Sequence, residues 1–507
     1  MKCKIFLLSN MALLAAATAM AAQPADVFVR CLENSRWKYN MLPDVCKNPA
    51  MMWGRYPYTL NELDVAWDYE KQQDAPLPQA GNGHNRADAE INAYVKKGRN
   101  DIWGSAGYSN GQRRNVLFNE TSDYLRLYPY VTADTVGGDL HEESYNFGGG
   151  FARNMGKVTI GAYAAYDALL AYRAVDPRPR NLVGNLAFSL GMAWNATNST
   201  SFGISVNAEK YKQTNKVSFY NEYHQPIIYH ATGLGTDYYR FQGSYSDTYY
   251  NGRTFGGMLS ARHTASSPQE WQWAASAGYE HFSFDKVISS LNELPMASVG
   301  EDRLLAGFEA GKALSEAHTL HFGIIEHYTR RNGNENIFGD PAGNAYPQIA
   351  SLNMYRHTAN NLSGTAGYEY NGRLLAGISL SVGHAYSSER YARPLRRLET
   401  NFIYEQVSAK AAATCGKWLW QADAYARFTN RPDTESELPA TSSAMLVPVE
   451  SLRTWLSNAS SHFGVSLRGG RQITPQIGGY ARLSYHRGNY SAGAHADRVA
   501  CGIGVVF

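Results

Sequence analysis

The last ten residues, Arg498-Val-Ala-Cys-Gly-Ile-Gly-Val-Val-Phe507, constrain the fold more than any other stretch of this chain. Val499, Cys501, Ile503, Val505 and Phe507 share one face of a period-two pattern, and Arg498, Ala500, Gly502, Gly504 and Val506 share the other. Successive side chains of a strand point to opposite sides, so the pattern predicts a strand with one apolar face. The alternation recurs upstream. Trp418, Trp420, Ala422, Ala424, Ala426 and Phe428 oppose Gln421, Asp423, Tyr425 and Arg427. Trp271, Trp273, Ala275, Ala277 and Tyr279 oppose Gln272, Ser276, Gly278 and Glu280, and Leu63, Val65, Trp67 and Tyr69 oppose Asp64, Ala66 and Asp68. Strands of about ten residues, apolar outward and polar inward, with aromatics at their ends, form the pattern of a transmembrane barrel. A soluble sandwich shares the period, so other features must separate the two.

One such feature is the N-terminus. Two lysines within Met1–Lys4, the apolar run Ile5–Met20 and the small residues of Ala19-Met20-Ala21 predict a secretory signal peptide over 1–22. Beyond it no run of about 18 apolar residues occurs, and mean hydropathy is −0.40, which excludes a polytopic helical membrane protein. Lys and Arg number 47 against 44 Asp and Glu, so the basic footprint of a nucleic-acid binder is absent. The aromatic ending at Phe507 resembles the terminal signal of bacterial outer-membrane barrels, which the insertion machinery of that membrane reads. The expected location is the cell outer membrane, and the expected partners are outer-membrane lipid and that machinery.

Connections supply a second test. Short turns are predicted at Lys97–Asn100, Arg153–Gly156, Ala196–Ser199, Ser266–Gln269, Leu314–Ala317, Tyr370–Gly372, Thr414–Gly416 and Gly470–Ile473. Longer polar loops separate them at about 112–141, 214–251, 285–301, 331–361 and 429–460. Strict alternation of short and long connections is expected of periplasmic turns and extracellular loops. The resulting fold is all-β, a transmembrane antiparallel β-barrel of about 18 strands over 58–507, with 14 or 16 as the alternatives.

Residues 23–57 lack sustained alternation and are read as a plug-like N-terminal segment, with a disordered periplasmic extension as the alternative. A barrel this wide has room for a plug. Cys31 and Cys46 lie together in this segment of an exported chain, where a disulfide is plausible, worth about 3 kcal/mol in the chain-entropy model. Cys415 and Cys501 fall in different kinds of segment and are read as free thiols. Asn48-Pro49-Ala50 resembles the Asn-Pro-Ala motif in the N-terminal hatch of the long-chain fatty-acid transporter family. The Tyr- and Gly-rich whole also resembles poorly characterised outer-membrane barrels common in Bacteroidota. Those resemblances imply a hydrophobic ligand for the first, and for the second an association with a TonB-dependent receptor.

Chemistry-bearing motifs are few. Gly107-Tyr-Ser109-Asn-Gly111 matches the nucleophile-elbow pattern, but no helix is predicted after it, and a turn-forming Asn-Gly is the better reading. His321 and His327 share the inward face of one predicted strand, roughly 20 Å apart at the usual rise, too far to hold one metal. Arg427, Arg468, Arg482 and Arg498 also fall on inward faces, where they either pair with lumen carboxylates such as Asp423 or line an anion-friendly path. No catalytic residue, metal site or cofactor is expected. The function expected is passage of a small or hydrophobic solute across the outer membrane. The alternatives are an accessory subunit of a surface receptor or secretion complex and an outer-membrane hydrolase.

Overall fold

The structure, a computed structural model, describes residues 25–507 except 222, 224, 244–246, 268–269, 344, 440–443 and 491–492. The predicted signal peptide and part of the predicted Ser266–Gln269 turn lie outside the described residues. Eighteen antiparallel strands close into a barrel. The first six are β1 Leu60–Gln72, β2 Gly83–Lys97, β3 Asn100–Val116, β4 Gly138–Asn154, β5 Val158–Tyr172 and β6 Arg178–Asn195. Then come β7 Thr200–Ser218, β8 Thr248–His263, β9 Trp271–Ile288, β10 Leu294–Ala313, β11 His318–Phe338 and β12 Gln348–Asn371. The last are β13 Leu375–Tyr391, β14 Arg396–Cys415, β15 Trp418–Thr429, β16 Ser460–Thr474, β17 Ile477–Tyr490 and β18 His495–Val506. A short extra strand, Asp433–Glu437, pairs with the outer end of β14.

Closure is made by β1 on β18, from Glu62 opposite Val506 to Gln72 opposite Ala496. Phe507 completes it: its N–H donates to the Asn61 carbonyl at 2.9 Å, and its carbonyl accepts from Asn61 N–H at 2.8 Å. The closed ladder matters because unpaired backbone groups in hydrocarbon cost several kcal/mol each. The predicted faces hold. Trp418, Trp420 and Phe428, and Val465, Leu467 and Ile503, are outward and 45% to 67% exposed, as a lipid-facing belt must be. No helix among the described residues is long and apolar enough to cross a membrane. The closed 18-strand barrel with its apolar outer belt places the chain in the cell outer membrane.

Five connections differ from expectation. The predicted turn at Gly470–Ile473 is strand, and the reversal falls at Pro475-Gln476. Most of the predicted loops 285–301 and 331–361 are strand as well, because β10, β11 and β12 run 20, 21 and 24 residues. Their outer ends mix apolar and polar residues on both faces, Leu294, Met296, Ala297 and Val299 being buried under the mouth, and bulges shift the register, which erases the alternation that marks a strand. The connections 173–177 and 392–395 are short although they lie at the loop end.

Residues 26–57 fold inside the turn end of the barrel. Helix α1, Val27–Asn34, is followed by a turn of helix at Trp37–Asn40 and by 3-10 turns at Pro43–Lys47 and Pro49–Met52. At the opposite end, long connections fold inward. The helical turn Tyr124–Leu127, a three-stranded patch joining Thr132–Ala133, Tyr229–Gly233 and Thr236–Asp237, and the helix Val447–Leu456 fill the mouth. Tyr124, Leu127, Tyr130 and Val131 pack there against inward-facing Tyr211, Tyr250, Phe282 and Val299.

Candidate functional site

The barrel interior is therefore closed by its own chain at both ends, and each seal has a defined construction. The inner seal rests on glycines. A strand facing a lumen would normally offer polar side chains, but Gly161, Gly191 and Gly203 on β5, β6 and β7 present bare backbone to Asn48-Pro49-Ala50. A methyl built on Gly161 would stand 2.6 Å from the Pro49 carbonyl oxygen and nearer still to Ala50 N. Gly307 faces Leu42, Gly311 faces Trp37, and Gly470 and Gly478 face Phe28 in the same way. Asn48 fixes the turn by accepting from Ala50 N–H at 3.0 Å and donating to Ser260 Oγ at 3.1 Å.

Barrel side chains then satisfy the segment's exposed backbone. Glu369 accepts from Trp37 N–H at 3.0 Å, and Glu309 accepts from Leu42 N–H at 2.6 Å and from the Trp37 indole. Asp101 accepts from Gly54 N–H at 2.6 Å, while Arg262 donates to the Met51 and Trp53 carbonyls at 3.2 and 3.0 Å. Within the segment, Arg30 is 1% exposed and donates to the Thr59 carbonyl at 2.7 Å. Cys31 and Cys46 are free thiols, which corrects the disulfide expectation. Cys31 sits in α1 packed with Val27, Phe28, Leu419 and Val506, and burial pushes its thiol up to about 12. Cys46 belongs to a separate 3-10 turn and borders a cavity.

The outer seal has a buried polar centre. Arg173, 3% exposed, lies 3.1 Å from Glu120 and 3.0 Å from Asp134, both fully buried. One guanidinium neutralises one carboxylate, so burial keeps Glu120 protonated, its carboxyl raised well above the ordinary range. Burial opposes ionisation of Asp134 too, but the hydrogen bond from Glu120 and the charge of Arg173 hold it below the usual range. Asn181 and Asn215 donate to the Glu120 carbonyl at 2.8 and 2.7 Å. Arg331 of β11 pairs with Glu301 and donates to the Leu125 and Tyr128 carbonyls.

Three cavities of about 410, 460 and 700 Å³ border the inner seal and carry both polar and apolar side chains. The first is lined by Gln406, Ser408, Lys410, Asp423, Tyr425 and His486, among others. The largest is bordered by Arg55, Tyr163, Asn207, Glu280, Arg303 and His327. His321 and His327 both face inward but are not brought together. His321 stacks on Trp37 of the inner seal at 4.8 Å, whereas His327 faces the largest cavity. Among the described residues, no group of three His, Cys, Asp or Glu is placed to hold a metal ion. Ser109 lies inside β3, which continues to Val116, so the strand-to-helix turn of a nucleophile elbow is missing.

The four arginines divide sharply. Arg482 is bidentate to Asp64, with Nη2 to Oδ1 at 2.6 Å. Arg498 is bidentate to Asp68 at 2.9 and 2.6 Å, and Asp68 also accepts from Arg86 at 3.0 Å. Arg468 lies 3.3 Å from Glu62 and over the Tyr480 ring. Their partners are the carboxylates of β1 at the closure seam rather than Asp423. Arg427 has only the Tyr404 ring, at 3.9 Å, and no carboxylate among the described residues. It stands opposite His462 of β16, one inward position beyond the cavity-lining Tyr425.

Sequence reasoning missed the anchors Glu309, Glu369, Asp101 and Arg262. It also missed the sockets, although glycines on inward positions of otherwise polar faces were a readable sign of close backbone approach.

No curated protein matches the sequence. Among solved structures the chain is similar to the copper transporter OprC, at 11% identity and a TM-score of 0.45, covering 84% of this chain and 61% of that one. The ferric enterobactin receptor PfeA of Pseudomonas aeruginosa gives 10% identity, a TM-score of 0.37 and coverage of 88% and 80%. The siderophore receptor PiuA of Acinetobacter baumannii gives 7%, 0.41, 89% and 82%. A family model matches residues 49–507, the whole barrel and the end of the N-terminal segment, and the chain belongs to that family, described as a family of unknown function (DUF6850).

Proposed function

We propose that this protein is a gated outer-membrane uptake protein for a small polar solute bearing an anionic group. One observation carries the reading: the chain fills its own barrel at both ends and leaves a chambered lumen whose cavities beside the inner seal carry charged, amide and hydroxyl side chains. A structural barrel has no need of such a chamber, and an open pore would not fill its mouth with buried tyrosines. The charges among the lining residues, Lys410 and Asp423 in one cavity and Glu280 and Arg303 in another, favour a polar solute over the hydrophobic one implied by the fatty-acid-transporter resemblance. Arg427 supplies the anion preference, since it is a lumen-facing guanidinium left without a carboxylate beside His462. The remaining arginines serve the wall, because their carboxylates neutralise them.

Reconstitution in liposomes tests this. The intact protein should pass succinate slowly, and a variant lacking 25–57 with the 117–137 loop shortened should pass it fast. Arg427→Gln in that opened barrel should lower succinate flux several-fold and leave glucose flux unchanged. No flux above protein-free liposomes from the opened barrel would refute the reading.

A second reading is favoured by Tyr220, Tyr223 and Tyr239, which stand 79%, 99% and 84% exposed on one outer loop. Such aromatic tips suit a docking face for a surface receptor or other complex. Recovery of a stoichiometric large partner on purification from the native membrane would support it over transport alone.

A further inference from the structure

The lipid-facing column of β7 changes character partway along the strand. Phe202, Ile204 and Val206 face outward, 45%, 50% and 57% exposed, and the same column continues through Ala208 to exposed Lys210, Lys212 and Lys216. Both neighbouring strands add to it. Arg180, exposed at the loop end of β6, lies directly opposite Lys216, in one column with Leu182, Leu186 and Phe188. Arg253 of β8, next in its column after Phe255, lies directly opposite Lys210. Opposed residues on antiparallel strands share a face at about 5 Å between Cβ atoms, and like charges so placed destabilise the sheet.

No carboxylate among the described residues stands within ion-pair distance of these cations. None of the five cations enters an ion pair among the described residues. Lys210 donates to the Asn251 side chain, Arg253 to Ser283 Oγ at 3.4 Å, and Lys212 lies 5.7 Å from the Tyr249 ring centre. Nearby carboxylates are engaged elsewhere: Glu209 points inward to Arg126, and Asp176 binds Arg178. Asp285, opposite Asn251, and Glu293 lie near the Tyr249 ring but pair with none of the five cations. A different arrangement holds at Arg356, Arg390 and Arg397, in register across β12, β13 and β14, where Glu399 pairs with Arg397. That rim carries a paired anion, whereas the five cations of the β6–β8 patch outnumber the two carboxylates near them and pair with neither.

We propose that Arg180, Lys210, Lys212, Lys216 and Arg253 form a binding site for the phosphate groups of outer-leaflet lipid headgroups. The position selects the ligand, because the patch continues the lipid-facing columns directly beyond their apolar part. Long basic stems lie along that surface and carry their charges to headgroup depth. Guanidinium forks take phosphate oxygens in pairs, while the lysines act as point charges. The site is independent of the transport reading, since it lies on the opposite side of the wall from the chamber.

Native mass spectrometry of the full chain in non-ionic detergent, titrated with phosphatidylglycerol or phosphatidylcholine, tests the site. Phosphatidylglycerol should be retained in preference, weakened by salt, and K210Q/K212Q/K216Q should lower its occupancy about tenfold. Lys312→Gln, on the outer face at the turn end, should leave it unchanged. Should the triple variant fail to fold, R180Q/R253Q serves instead, with a several-fold loss expected. Wild-type occupancy in a folded variant, equal retention of both lipids, or displacement by inorganic phosphate at the lipid's own concentration would each overturn the proposal, the last by making this a free-anion site.

Discussion

Gly161 offers the sharpest test of the inner seal. Replacing it with alanine adds a single methyl on the inner face of β5, 2.6 Å from the Pro49 carbonyl oxygen and closer to Ala50 N. Those are backbone atoms, with no rotamer that could swing aside. The Pro49–Met52 turn must therefore shift, taking Asn48 away from Ser260 and drawing Met51, 1% exposed, from its packing. Overpacking of this kind costs about 1–3 kcal/mol. At about 1.4 kcal/mol per tenfold, the undocked fraction of the segment rises about 5- to 150-fold. Hydrogen exchange over 43–54 reads it directly, through amides such as Met51, which donates to the Asn48 carbonyl at 3.0 Å. Gly364→Ala is the control, since nothing lies within 4 Å of a methyl there. Exchange in 43–54 within twofold of wild type would refute the socket argument. Equal acceleration across β5 itself would show that Gly161 serves the wall rather than the seal.

Three further outcomes follow from the same structure. Asp68→Ala removes the acceptor of Arg498 and Arg86 at the seam and should cost about 2–3 kcal/mol, seen as a lower midpoint of heat-induced mobility shift on gels; an unchanged midpoint would mean the seam does not depend on this carboxylate. The outer seal should be pH-sensitive with opposite limbs. Glu120, raised above its ordinary 4.5, contributes stability that is present below 4.5 and is lost as pH rises through its folded value; Asp134, lowered below 3.8, contributes stability that is present above 3.8 and is lost as pH falls through its folded value. Protease protection of 117–137 should thus peak near mildly acidic pH, and Glu120→Gln should flatten the alkaline limb only; an alkaline limb unchanged in that variant assigns it to another group. Finally, maleimide should label Cys46 without reductant and reach Cys31 only in denaturant, whereas mass loss from an intramolecular disulfide would contradict the free thiols.

The barrel was legible because lipid writes its demand on every second residue. Trp418 to Phe428 or the last ten residues suffice to give strand, face and membrane, and the closure count follows from the turns. Legibility stops where lipid does. The outer ends of β11 and β12 mix polar and apolar residues without alternation and read as loop, although their backbones pair, with bulges at Gly333/Asn334 and Ile337/Phe338. The candidate site was legible in part. Inward parity placed Arg427, Arg468, Arg482 and Arg498 in the lumen, but parity cannot say which carboxylate lies two strands away. Asp64 and Asp68 meet Arg482 and Arg498 only through closure, across more than four hundred residues of chain. The seals were hidden for a related reason: glycine sockets and single carboxylates leave no periodic trace.

The inner seal is the first described part of the chain and yet touches almost the whole circumference. Arg30 reaches Gln476, Trp37 reaches Glu369, Leu42 reaches Glu309 and Asn48 reaches Ser260, separations of 446, 332, 267 and 212 residues. No open sheet presents those partners together. Complete docking of the N-terminal segment therefore needs the closed wall, and its contacts are as non-local as the β1–β18 seam itself. A barrel stalled before closure would display residues 26–57 to the periplasm, so the fold carries within itself a signal of its own completion.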